Sequence, residues 1–340
     1  MKNNRSVQSL RGFACLMLVL YHVVGSTELQ GSHIHDGWLR VLTDLLAVVR
    51  MPLFAFLAGA MYGHSRLRGK QVVVDKFKRL IVPMLTVGTL FALVQYVIPG
   101  ANQPVQDLYL IHIVPVAHYW FLESLFLIFC LLAFVEFARP LNSVLSWSIA
   151  FLTSIFMYLM HLGLIWFGIL GATYLLPFFL LGLAFTRFGW TALPGRAWWG
   201  TMLIAGGCTA LALIVVTDSY VNRFTPAMLL TGLLLSAGLW LRPPSAAWLA
   251  RIGDHSMAMF LFHVFFTAAA RMVLDRLGFK SVAPHLLVGV LSGLLGPAAI
   301  QRAIAPSPLL NQWLMGAYTR REQQKALAVA TIQQLAKSTP

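Results

Sequence analysis

Charge is scarce in this chain: 11% of its 340 residues are Asp, Glu, Lys or Arg, against roughly 25% in a soluble globular domain. With 59% hydrophobic residues, a water-soluble core would have to absorb more apolar surface than one domain can bury, so that class is excluded. Cysteine is nearly absent. Cys15, Cys130 and Cys208 fall far apart inside apolar runs, which gives neither a disulfide framework nor a metal-ligand spacing. No G-x-x-x-x-G-K-[ST], H-E-x-x-H or G-x-S-x-G motif occurs, so an ATP-driven pump, a zinc metalloprotease and a common-fold serine hydrolase lose their main support. Acidic residues number only 11 against 25 basic ones, for a net charge of +14. The excess does not indicate a nucleic-acid partner. The cations sit in short segments between apolar runs, where membrane topology places them.

What the chain has instead is a succession of apolar runs of membrane-spanning length. The expected spans are 8–25, 41–63, 80–98, 119–138, 145–161, 163–186, 199–217, 224–241, 256–275 and 283–304. Each is expected to be helical, because lipid leaves no partner for free backbone N–H and C=O groups. The first run has no clean small-x-small cleavage site and is read as a retained helix. Lys2, Arg5, Arg11, Arg66, Arg68, Lys70, Lys76, Lys78 and Arg79 fall on one face, against Arg40, Arg223, Arg271, Arg276 and Lys280 on the other. That asymmetry puts both termini in the cytoplasm. The fold class is therefore all-α, a polytopic integral membrane bundle of about ten helices. Residues 1–305 are read as the membrane domain and 306–340 as a polar cytoplasmic tail.

Ionisable groups at membrane depth are costly, and each is a functional candidate. Arg11 and His22 are eleven residues apart on the first span, on nearly the same helix face and roughly 16 Å apart along it. That distance is close to the reach of a pantetheine arm. An Arg suits phosphate oxygens, and a neutral His suits removal of a hydroxyl proton. The alternative is a topological anchor and a hydrogen-bonded core histidine. Arg50 lies too deep to snorkel and needs a partner, for which Asp44 or Glu123 are the candidates. His118 and Glu123 flank the interfacial Tyr119 and Trp120 at the mouth of the fourth span. His263 stands among aromatics in Phe260-Leu-Phe-His-Val-Phe-Phe. Lys76, Lys78 and Arg79 read as a positive-inside cluster or as a phosphate patch beside Arg11.

These segments together resemble the acyltransferase-3 family of bacterial membrane acyltransferases. Arg11 with His22 resembles its R-x10-H signature, and Met51-Pro-Leu-Phe-Ala-Phe-Leu-Ala-Gly59 its M-P-L-F-F-F-x-S-G segment. Lys76-Phe-Lys-Arg79-Leu-Ile-Val-Pro83 is similar to the R-x-x-R-x-x-x-P loop, Trp120-Phe-Leu122 to W-F-L and Pro177-Phe-Phe-Leu-Leu-Gly182 to P-x-F-x-x-G. Ile252-Gly-Asp-His-Ser256 running to His263 resembles the late I-G-x-x-S…L-x-H. The matches keep family order from residue 9 to residue 263. Two positions depart: Lys76 replaces an Arg and loses its bidentate fork, and Arg50 stands where many relatives have His.

The resemblance implies an O-acyltransferase of the bacterial inner membrane that moves an acyl group, usually acetyl, from cytoplasmic acetyl-CoA to a glycan hydroxyl. The acceptor is expected to be a cell-surface polysaccharide or its lipid-linked precursor. His22, Arg11 and Glu123 are assigned to catalysis. Arg11, Lys76, Lys78 and Arg79 are assigned to the CoA phosphates, and Arg50, His118, Trp120 and His263 to the acceptor. Membrane lipids are expected partners; no metal and no nucleic acid are expected. The competing class is a transporter or flippase for a glycan or lipid-linked sugar, with the same residues lining a path.

Overall fold

The computed structural model describes residues 4–25, 31–32, 38–65, 67, 69–98, 107–138, 140–190, 198–207 and 225–317. Among them the regular structure is helical, with no strand. In chain order come α1 (Asn4–Val24), α2 (Trp38–His64), α3 (Lys70–Lys76), a π-helical turn (Phe77–Ile81), α4 (Val82–Val97), α5 (Trp120–Ala138), α6 (Val144–Met160) and α7 (Ile169–Arg187). Then follow α8 (198–207), α9 (Pro226–Leu241), α10 (Ala247–Asp254), α11 (Ser256–Arg276), α12 (Val282–Ile304) and α13 (Pro308–Met315).

Among the described residues seven helical stretches are long and apolar enough to cross a membrane, and α6 and α9 are shorter apolar helices. The span expected at 199–217 lies partly outside the described residues. The chain is an all-α polytopic membrane protein.

The basic segment before α4 is not the loop expected at 64–80. Helix begins at Lys70 and continues through the π turn to Val97. Two features explain this. Asp75 is buried and binds both Lys76 (2.8 Å) and Arg79 (3.1 Å), so the cations neutralise an acid on their own helix. Pro83 cannot donate a backbone bond and its ring crowds the carbonyl four residues back, at Arg79. The backbone widens at Phe77–Ile81 instead of breaking. α13 packs beside this turn, with Thr86 Oγ1 donating to the Trp313 carbonyl at 2.7 Å and Met315 buried. Residues 318–340 of the tail lie outside the described residues.

Glycines set the helix crossings. A Cβ on Gly12 would lie 1.8 Å from the Leu249 carbonyl oxygen, and one on Gly253 would lie 1.9 Å from that of Gln8. α1 and α10 therefore touch backbone to backbone. Gly59 and Gly182 do the same for α2 and α7, at 1.9 Å from the Phe179 oxygen and 2.0 Å from the Phe56 oxygen. Without a hydrophobic force between helices in lipid, such close van der Waals approach is what holds them together. On α12, Gly289 and Gly293 meet Val23 and Val19 of α1, while Gly296 meets Phe266 of α11. The far end of α1 is thus wedged between α11 and α12.

Candidate active site

Three imidazoles converge at that end of α1. The ring centres of His22 and His263 are 4.8 Å apart, those of His118 and His263 4.9 Å, and those of His22 and His118 5.8 Å, all edge to face. Three different elements supply them. His22 comes from the last turn of α1, and His263 from the second turn of α11. His118 lies in the short 3-10 turn Ala117–Tyr119 that leads into α5. Ala117 takes a left-handed backbone (φ 48°) just before it, a strained conformation for a residue with a Cβ. It swings His118 inward. Tyr119, buried beside it, donates its hydroxyl to the Leu261 carbonyl at 2.8 Å and so fastens this turn to α11.

The cluster is buried and poorly satisfied. His118 is 4% exposed and His263 fully enclosed. Among the described residues neither ring nitrogen of His118 has a hydrogen-bond partner, nor does Nε2 of His263. The walls are aromatic: Phe91, Tyr119 and Phe260 stand around His118. Each unsatisfied buried polar group costs about 1–3 kcal/mol, so this arrangement suits a polar guest that supplies the missing bonds. Among the described residues no three His, Cys, Asp or Glu side chains stand in metal-binding geometry.

Arg50 does not take either partner that the sequence offered. Asp44 pairs with Arg40 at 3.2 Å, one helical turn away on the same helix. Both carboxylate oxygens of Glu123 are buried with no hydrogen-bond partner among the described residues. Arg50 instead lies over the ring of Tyr21, 3.2 Å from its centre, and Tyr21 in turn meets His22 edge to face at 5.3 Å. A delocalised guanidinium on an aromatic face is well suited to a site that water does not reach. The charge therefore stands beside the histidine cluster, although by a route the sequence did not indicate.

Glu123 occupies the first turn of α5, where Gly168 packs against its Cβ and Ser124 Oγ donates to the Gly168 carbonyl at 2.7 Å. Its neighbour Trp120 lies against Gly171 and Tyr174 of α7. Trp120, half-buried, thus packs between α5 and α7, where the small Gly171 leaves room for its ring.

Arg11 is half-buried two turns into α1, 3.5 Å from Gln8 Oε1, and Asp254 at the end of α10 lies within reach of its charge. Between Arg11 and His22 the same helix face carries Cys15 and Leu18, which are almost fully enclosed; Cys15 Sγ is 4.0 Å from the Ser256 carbonyl. The track for a donor arm along α1 is therefore closed by packing in this conformation. The structure places Lys76, Lys78 and Arg79, expected as a patch beside Arg11, at the end of α3 and on the π turn. α1 packs on α2, α10, α11 and α12, whereas the π turn packs on α5 and, through Gly316, on the end of α13. Lys76 and Arg79 already share Asp75, and Lys76 Nζ lies 4.9 Å over the Phe129 ring.

Sequence reasoning missed Tyr21, Tyr119 and the buried network in which Tyr62 and Arg187 both bind Glu136. Tyr119 looked like an interfacial aromatic. The Glu136–Arg187 pair, at the ends of α5 and α7, was open to a search for opposite charges at matching membrane depth. Compared with known protein families, residues 4–302 match a model described as an acyltransferase domain. Among curated proteins and solved structures no match was found.

Proposed function

We propose, for a chain that belongs to the acyltransferase-3 family, an integral membrane O-acyltransferase that moves an acyl group from cytoplasmic acyl-CoA to a hydroxyl of a cell-surface glycan or its lipid-linked precursor. The observation that carries this reading is the convergence of His22, His118 and His263, with both ring nitrogens of His118 and Nε2 of His263 buried and unpartnered among the described residues. A conduit for ions or sugars needs a continuous polar path. This cluster is a confined polar point, reached at His22 and walled by aromatics around His118, suited to one hydroxyl and one carbonyl.

In the reaction the acceptor oxygen attacks the thioester carbonyl carbon while His22 takes the hydroxyl proton. The C–O bond forms, the C–S bond breaks, and the departing CoA sulfur takes the proton back from His22. Arg50, a fixed cation on Tyr21, supplies positive charge on the side of the developing oxyanion. Exclusion of bulk water protects the thioester from hydrolysis. His118 and Glu123 bring unpartnered acceptors and donors for the sugar. Arg11, Lys78 and Arg79 are the groups for the CoA phosphates, on the side where positive-inside topology places the cytoplasm. For the pantetheine arm to reach His22, α1 must part from its neighbours at Cys15 and Leu18. The bacterial inner membrane is the location that suits such a donor and acceptor.

The test is transfer of label from radiolabelled acetyl-CoA to glycan by protein purified in lipid vesicles. His22→Ala is expected to abolish transfer while keeping the wild-type Tm. Undiminished transfer by that variant removes His22 from the chemistry.

A further inference from the structure

We propose that His263 is a positioning residue that fixes the tautomer of His22, through a chain running from a backbone carbonyl across two neutral imidazoles. This inference rests on the reading of His22 as the base.

The argument starts at the backbone. Nδ1 of His263 lies 2.7 Å from the Met259 carbonyl oxygen and 3.2 Å from that of Phe260. A carbonyl only accepts, so Nδ1 carries the proton. In a neutral imidazole the other nitrogen, Nε2, is then an acceptor. It is enclosed and has no partner among the described residues. The groups able to offer it an N–H are the two facing rings, His22 at 4.8 Å and His118 at 4.9 Å between centres. His22 is the one of the three with partial solvent exposure, and so the one open to a substrate. If its N–H points at His263, its other nitrogen is left bare and aimed at the acceptor hydroxyl. In apo structures such bonds are often open and tighten only in the reacting complex.

In a soluble hydrolase this place is filled by a carboxylate. A carboxylate would add a second buried charge in the membrane, at a cost of several kcal/mol. A backbone carbonyl at one end and a neutral ring in between achieve the same orientation without it. Tyr21, which carries Arg50 on its face, meets His22 edge to face, and His118 is its third ring neighbour, so no acid competes for the His22 proton among these contacts.

The experiment uses the full-length protein in lipid nanodiscs with 15N-labelled histidine. The His22 ring signals are assigned by their loss in His22→Gln. The wild type is expected to show His22 in one tautomer. His263→Ala is expected to show both, with kcat lower by about 10²-fold or more and KM for donor and acceptor within twofold. His263→Gln, whose side-chain oxygen accepts, should restore the single tautomer and part of kcat; it also serves if truncation prevents folding. His118→Leu should leave the tautomer of His22 single. The proposal is overturned if His263→Ala leaves His22 in one tautomer, or if His118→Leu, and not the change at 263, mixes them. The nuclear signals do not depend on turnover. A tautomer shift without any acyl transfer would therefore uphold the chain and reject the proposed reaction.

Discussion

Tyr119 donates its hydroxyl to the backbone of Leu261 at 2.8 Å, and this one bond couples the entry of α5 to the second turn of α11. It brings His118 and His263, which are far apart in sequence, to 4.9 Å between rings. Tyr119→Phe keeps the ring and removes the bond. A stability loss of about 0.5–1.5 kcal/mol is expected, with a disproportionate fall in transfer rate because His118 loses its register. Thermal unfolding and initial rates measured side by side test this; a rate unchanged at lowered Tm would assign the bond to folding alone.

Gly12, Gly59, Gly182 and Gly253 should tolerate no side chain. At each, a Cβ would sit within 2.0 Å of a backbone oxygen on the neighbouring helix, and backbone cannot rotate away. Alanine at any of them is expected to cost about 1–3 kcal/mol or more and to lower Tm in detergent. Gly206→Ala, with nothing within 4 Å of the added carbon, is the matched control and should leave Tm unchanged.

Glu123 holds two buried oxygens without a partner among the described residues, an arrangement that is unfavourable for folding and retained at functional sites. Glu123→Gln and Glu123→Leu should raise Tm and lower transfer. A Tm that falls in both variants would mean that the carboxylate is satisfied by the fold.

Lys78→Glu and Arg79→Glu, which place acid on the π turn, are expected to raise KM for acyl-CoA by roughly tenfold with kcat little changed, and the effect should shrink as salt rises. Dephospho-CoA donors should respond less. Equal KM values for both donors in wild type and variants would remove this turn from donor binding.

His112, in the connection between α4 and α5, bonds Thr89 at 3.0 Å, and burial holds its pKa below the ordinary 6.5. The folded protein therefore binds fewer protons here than the unfolded chain. Its contribution to stability is full above about pH 6.5 and is lost as pH falls from there through the lowered folded value. His112→Gln should flatten the decline of Tm on acidification in that range. An identical pH dependence in both proteins would show that His112 stays accessible.

Much of the architecture is determined by the sequence, because a bilayer gives little choice. Apolar runs of sufficient length become helices, since their backbones have nothing else to bond, and their cations mark the ends. Arg11 and His22 were readable as a pair because helix periodicity alone places them on one face. The motif glycines Gly12, Gly59, Gly182 and Gly253 were visible as letters, but their reciprocal pairing was not, since contact across helices has no period along the chain. The same holds for the histidines. His22 read as the partner of Arg11, His118 as a residue at the mouth of a span and His263 as a lone imidazole among aromatics, and only tertiary packing brought the three rings together. Tertiary structure also decided which charges were already engaged: Asp44 went to Arg40, Asp75 to Lys76 and Arg79, and Arg50 to the face of Tyr21. Pairing in a low-dielectric interior depends on distances of a few ångströms in three dimensions. The first span therefore carries His22 by sequence, and that histidine acquires its neighbours only through the fold.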